Sequence, residues 1–100
     1  MIFTKKLALG LMRLPQVDGR VDIERTKGMV DTFIEEGFTY FDTAACYHRG
    51  ESEVAFREAV SSRYPRDSYT ITDKLSLFML KAKDEIAPFF DAQLETLGVD

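Results

Sequence analysis

The chain has 100 residues, 45% hydrophobic and 30% charged, with a formal net charge of −4. That length is one domain or part of one, and so much apolar surface packs a core instead of staying disordered. Acids and bases are interleaved, which argues against nucleic acid as the main partner, since neutralising its backbone needs a basic face, although one anionic cofactor remains compatible with the charge. The single cysteine, Cys46, cannot close an internal disulfide, which points to a reducing compartment. The opening "MIFTKKLALG" is too short in apolar residues for a signal peptide, and no later run is long enough to cross a bilayer. The expectation is a soluble cytoplasmic protein with no nucleic acid and no membrane partner.

Three short runs read as strands: Leu7–Gly10, Thr39–Asp42 and Tyr69–Lys74, the last alternating Tyr69 and Ile71 with Thr70 and Thr72. Each is followed by a helical pattern. Asp22 is placed to cap a helix reaching Glu36, with Ile23, Val30, Phe33 and Ile34 inward and Gly37 as its stop. A second helix is expected over Ser52–Arg63, burying Ala55, Phe56, Ala59 and Val60. The third carries Ile86, Phe89, Phe90, Leu94 and Leu97 and stops at Gly98, with Pro88 tolerated if the regular turn begins there. The stretch Lys81–Glu85 reads as a solvated face and helix start.

The order βαβαβα implies parallel strands with helical crossovers. Gly10, Asp42 and Lys74 close the three strands at equal steps, each near the roughly 30 residues that a βαβ unit occupies. The first strand runs into "GLMRLP", which is no glycine fingerprint for a pyrophosphate, so the open dinucleotide-binding sheet loses to the (β/α)8 TIM barrel. Such a barrel needs about 250 residues. The fold class expected is therefore α/β, the first three βα units of a barrel, with residues 1–100 its N-terminal portion and "QLETLGVD" leading into a fourth strand. A piece of this kind leaves two strand edges unpaired, which self-association or the rest of a longer chain would cover.

In a barrel the C-terminal strand ends form the active-site mouth. That places Asp42, Lys74 and the loop residue Tyr47 around one cavity. An aspartate before a loop is commonly a cap or turn residue, and its convergence with the other two favours a chemical role here. An ammonium beside a phenol favours loss of the phenolic proton. Tyr47 can thus protonate a developing alkoxide, Lys74 can tune it, and Asp42 can hold Lys74 charged and oriented.

The stretch "FDTAACYHRGESE" resembles the signature of the aldo-keto reductases, in which Asp-Thr-Ala after the second strand leads to a tyrosine and then a Ser/Asn-Glu pair opening the second helix. "LALGLMRLP" is similar to that family's first strand and "QLETLGVD" to its third-helix exit. The resemblance implies a (β/α)8 barrel moving hydride between NADPH, or NADH, and a small-molecule carbonyl or alcohol. It implies catalytic roles for Asp42, Tyr47 and Lys74, three members of an Asp-Tyr-Lys-His tetrad whose histidine is expected beyond residue 100. Most cofactor contacts come from later strands, leaving the Gly10–Leu11–Met12 turn near the nicotinamide, and the 100 residues alone are expected to be inactive. "YHRGESE" is closer to bacterial members, some of which carry a ferredoxin-like extension; an iron–sulfur cluster is expected only with such an extension. The alternative is a non-catalytic barrel, a regulatory or scaffold subunit that binds nucleotide as a redox sensor.

Other residues read more simply. Cys46, His48, Glu51 and Glu53 lack the paired spacing of a metal site, and no metal is expected. His48 is expected at the rim, lining the substrate mouth. Glu53 reads as a first-turn helix acid with a possible role behind Lys74. Asp73 is expected to point outward, Phe89 and Phe90 into the core, and Arg13 into solvent.

Overall fold

The computed structural model describes residues 5–100. Met1 to Thr4, part of the N-terminal run read for a leader, lie outside the described residues. Three strands form a parallel sheet: β1 (Ala8–Gly10), β4 (Tyr40–Asp42) and β5 (Thr70–Thr72). Its order is β1-β4-β5, and Gly10, Asp42 and Thr72 stand in one row at the C-terminal edge. Each strand end thus opens on the same side. The strands are shorter than the apolar runs that mark them, and Asp73 and Lys74 lie just past β5.

Between β1 and the first helix is a small antiparallel hairpin, β2 (Gln16–Val17) and β3 (Arg20–Val21). Asp18 and Gly19 turn it, both in the left-handed region at φ 53° and 78°. Two such residues between strands make a type I′ turn, whose twist suits a hairpin.

Helix α1 (Ile23–Glu35) begins where Asp22 accepts a hydrogen bond from the Arg25 amide at 3.1 Å. It ends as Gly37 swings to φ 90° and the Phe38 amide reaches back to the Phe33 carbonyl at 3.2 Å. Gly98 closes helix α3 (Ile86–Leu97) in the same way, with the Val99 amide donating to the Leu94 carbonyl at 3.0 Å. Helix α2 (Glu51–Phe56) continues as a π-helical turn over Arg57–Ser61, with the Ser62 amide donating to the Arg57 carbonyl at 2.9 Å. This wider turn meets the end of α3, where Ser61 Oγ donates to the Leu97 carbonyl at 2.6 Å.

The core lies between the sheet and its helices. Phe41, on the helix-facing side of β4, is fully buried with Val30 of α1 and Ala55, Phe56, Ala59 and Val60 of the second helix. The rings of Phe38, Phe33, Phe41, Phe56 and Tyr69 run in sequence across it, with successive centroids 5.0, 5.3, 5.8 and 5.5 Å apart. Small Ala55 and Ala59 let α2 lie close against the sheet. Alternation along β4 turns Tyr40 and Asp42 to the opposite face from Phe41, where the Tyr40 hydroxyl meets Thr72 Oγ1 at 2.8 Å.

Helix α3 departs from its expected packing. Leu97 is buried, but Phe90 is 54% exposed, and the inward position beside Leu97 belongs to Gln93. Ile86 is exposed too. The helix is set by what Gln93 bonds, described below, and that rotates Phe90 away from the core. No helix among the described residues is long and apolar enough to cross a membrane.

Candidate active site

The row of strand ends carries the site. Asp42 is the last residue of β4 and Lys74 follows β5 by two positions. Lys74 Nζ donates to Asp42 Oδ2 at 2.9 Å and to the Thr43 carbonyl at 2.9 Å. The same ammonium stands 4.7 Å from the centroid of the Tyr47 ring, within cation–π range. All three residues are partly open to solvent. Partial burial pulls the lysine's pKa down, but the Asp42 carboxylate and the Tyr47 side chain outweigh it, and Lys74 ends above its ordinary value. It is held as a cation.

Tyr47 opens a tight turn, Tyr47–Gly50, anchored where its amide donates to the Ala44 carbonyl at 3.2 Å. His48, Arg49 and Gly50 are all left-handed, at φ 51°, 55° and 92°. Two of these are not glycine, and each costs about 1–2 kcal/mol. The run reverses the chain so that α2 can start at Glu51 while Tyr47 still faces Lys74. His48 steadies it: Nε2 accepts from the Leu14 amide at 2.9 Å and Nδ1 lies 3.2 Å from the Gln16 side-chain amide. The ring expected to line the substrate mouth thus braces the loop against the hairpin. Glu51 makes a second tie, accepting from Arg20 Nε at 3.1 Å and the Val21 amide at 3.3 Å.

Behind the strand ends is a buried polar knot. Ser52 Oγ donates to the Leu11 carbonyl at 2.8 Å and lies 2.6 Å from Thr43 Oγ1. A hydroxyl has one proton, so Ser52 gives its own to Leu11 and receives that of Thr43. The Leu11 amide donates to the Asp42 carbonyl at 2.9 Å, and the Thr43 amide to Thr72 at 2.9 Å. Leu11, expected at the cofactor, is therefore a buried residue with both backbone polar groups engaged within the protein. Its neighbours Gly10 and Met12 are exposed on the rim.

A second polar group lies under Lys74. Glu53 is 5% exposed and Gln93 is also buried. Gln93 Nε2 donates to the Lys74 carbonyl at 2.9 Å and to Glu53 Oε2 at 3.3 Å. Asp73 turns inward toward Glu53, not outward as expected: Oδ1 accepts from the Lys74 amide at 2.9 Å and Oδ2 is buried. Burial, then the Asp73 carboxylate, raise Glu53 to about 8, against the opposing bond from Gln93. These contacts link residues far apart in sequence. The one signal for them was an acid in an otherwise apolar helix face, at Glu53.

The chain is thus a mixed α/β domain with its ionisable groups gathered at the C-terminal ends of parallel strands, where α/β enzymes bind ligands. The model of the aldo/keto reductase family matches residues 6–100, and the chain belongs to that family. Its members are in general NAD(P)H-dependent oxidoreductases. No curated protein matches the chain.

Proposed function

We propose that this chain carries the proton-donating side of a carbonyl reductase or alcohol dehydrogenase site, within the first three βα units of a (β/α)8 barrel. The observation that carries the reading is a single ammonium, Lys74, 2.9 Å from the Asp42 carboxylate and 4.7 Å from the Tyr47 ring centroid. In this reading the Tyr47 hydroxyl protonates the oxygen of an aldehyde or ketone as the C=O bond is reduced, and takes the proton back in alcohol oxidation. Lys74 favours departure of that proton by its charge, and Asp42 with the Thr43 carbonyl keeps Lys74 in place.

A bound nicotinamide cofactor, NADPH or NADH, supplies the hydride. The residues present fit its reactive end in part. Nothing lies within 4 Å of where a side chain on Gly10 would begin, and Met12 is 54% exposed beside it. Gly10 and Met12 can therefore flank a flat ring, whereas Leu11 supports the strand end from below. None of the described turns offers a glycine cradle for a pyrophosphate, so these 100 residues alone are expected to show no NADPH oxidation. The exposed free thiol of Cys46 suits a reducing, cytoplasmic setting.

The test is Tyr47→Phe in the full-length protein. General-acid loss should lower kcat by about 10²–10⁴-fold and leave cofactor binding close to wild type. Lys74→Met should lower kcat by a similar route. Carbonyl reduction by Tyr47→Phe at the wild-type rate means that another group is the acid.

A further inference from the structure

The Glu53–Asp73 contact has no part in the chemistry just described. Asp73 Oδ2 is the one buried side-chain polar atom without a hydrogen-bond partner among the described residues. A buried acceptor without a donor is costly, and two buried carboxylates side by side are costlier still. One proton removes both problems. If Glu53 is neutral, its O–H can donate to Asp73 Oδ2, and the other Glu53 oxygen keeps its bond from Gln93. Burial and the neighbouring acid both favour that form, with Glu53 raised to about 8. No cluster of three or more His, Cys, Asp or Glu side chains able to hold a metal occurs among the described residues, so a proton is the cation that fits.

The pair is joined to Lys74 at both ends of that residue's backbone. Asp73 Oδ1 accepts from the Lys74 amide, and Gln93, bonded to Glu53, donates to the Lys74 carbonyl. The side chain beyond then reaches Asp42 and Thr43. Of the elements around Glu53, the end of β5 presents Asp73 and α3 presents Gln93, while the Lys74 ammonium is directed to Asp42.

We infer that Glu53 and Asp73 share one proton, and that this acid–carboxylate pair, braced by Gln93, positions Lys74 against Asp42. Glu53 and Asp73 are positioning residues, acting through Lys74. Loss of the proton to hydroxide leaves two facing carboxylates, whose repulsion displaces the Lys74 backbone and loosens its ammonium from Asp42. The consequence for catalysis rests on the role of Lys74 proposed above; the shared proton does not.

Carboxyl ¹³C resonances of the full-length protein, followed from pH 5 to 9, test this. The Glu53 signal, assigned by its loss in Glu53→Gln, should titrate near pH 8. The Asp42 signal should shift with the same midpoint in wild type. In Glu53→Gln, whose amide keeps a donor toward Asp73 at every pH, that Asp42 shift should vanish. In Glu53→Ala the Asp42 signal should be displaced already at pH 6. A Glu53 midpoint below pH 6 overturns the shared proton. A midpoint near 8 with Asp42 unmoved, or moving equally in Glu53→Gln, overturns the positioning role. The alkaline limb of carbonyl reduction should move at least tenfold in hydroxide concentration between wild type and Glu53→Gln. Coupled resonances in a protein with no reductase activity would sink the proposed reaction and leave the pair standing.

Discussion

Ser52→Ala probes what holds the strand ends together. Ser52, Thr43 and Leu11 are each at most 1% exposed, and the serine hydroxyl bonds the other two. Removing it leaves the Thr43 hydroxyl without its acceptor and the Leu11 carbonyl without this donor. The lost oxygen vacates less room than a water molecule needs, so solvent cannot replace it. Each unsatisfied buried group costs about 1–3 kcal/mol, so with two of them the variant should lose roughly 2–6 kcal/mol. Urea unfolding is the assay, read as a lower midpoint with an unchanged slope. Thr43→Val sharpens it. With the threonine hydroxyl already gone, Ser52→Ala strands one group instead of two, so the double variant should be at least about 1 kcal/mol more stable than the sum of the singles implies. A loss below about 0.5 kcal/mol for Ser52→Ala, additive with Thr43→Val, would refute the knot as a structural element.

Two further outcomes follow from positions remote from it. Gly98→Ala places a Cβ 2.8 Å from Ser61 Oγ and 3.0 Å from Arg57 Cγ at a φ of 72°, so backbone strain and a displaced Ser61–Leu97 bond should together cost roughly 2–3 kcal/mol. Gly19→Ala, left-handed but with nothing within 4 Å, should cost only the strain, about 1 kcal/mol, and equal losses in thermal or urea unfolding would contradict the crowding at Gly98. Stability should also depend on Glu53 in a definite direction. Its folded value, about 8, lies above the ordinary 4.5, so its contribution is complete below pH 4.5 and is lost as pH rises toward 8. At about 1.4 kcal/mol per unit that is at most about 3 kcal/mol between pH 4.5 and 7. Unfolding of wild type and Glu53→Gln at pH 5, 7 and 9 should show the gap opening toward pH 8 and then levelling; parallel curves would rule it out.

The sequence made the strands, the crossovers and the helix ends legible because local physics sets them. Asp22, Gly37 and Gly98 cap or stop helices through their own side chain or backbone freedom, with no need of distant partners. The equal steps between Gly10, Asp42 and Lys74 found the right edge but overran the third strand by two residues: Gly10, Asp42 and Thr72 are in register, and Lys74 follows just beyond. The hairpin escaped notice although Asp18-Gly19 is its signal, because two-residue strands carry no alternation to read. Helix α3 misled for another reason. Periodicity finds an apolar stripe but not the neighbour it meets, and Gln93 took the inward position through polar contacts to Glu53 and Lys74. Asp73 was misread in the same way, and the bond from the Leu14 amide to His48 went unforeseen: a polar side chain in a loop turns toward whichever partner the fold brings near, and Leu14 and Glu53 are distant in sequence.

The ion pair at the rim cannot be what fixes the rim. Its side chains are 42% and 34% exposed, and a pair so open to water is worth about 0–1 kcal/mol. An arrangement that must keep an ammonium beside one ring needs stiffness from elsewhere. The structure supplies it from polar groups set behind the rim: buried Thr43 and Ser52 under Asp42, and buried Glu53 and Gln93 with the half-buried Asp73 under Lys74. The first group joins the β1 end to β4 and α2, the second joins β5 to α2 and α3. Helix α2 enters both through adjacent residues, Ser52 and Glu53, which add to the β4–β5 pairing that holds Asp42 and Lys74 side by side. A change at Ser52 should therefore be felt first at Asp42, through Thr43, and a change at Glu53 first at Lys74, through Gln93 and Asp73, whereas the exposed salt bridge adds little stiffness of its own.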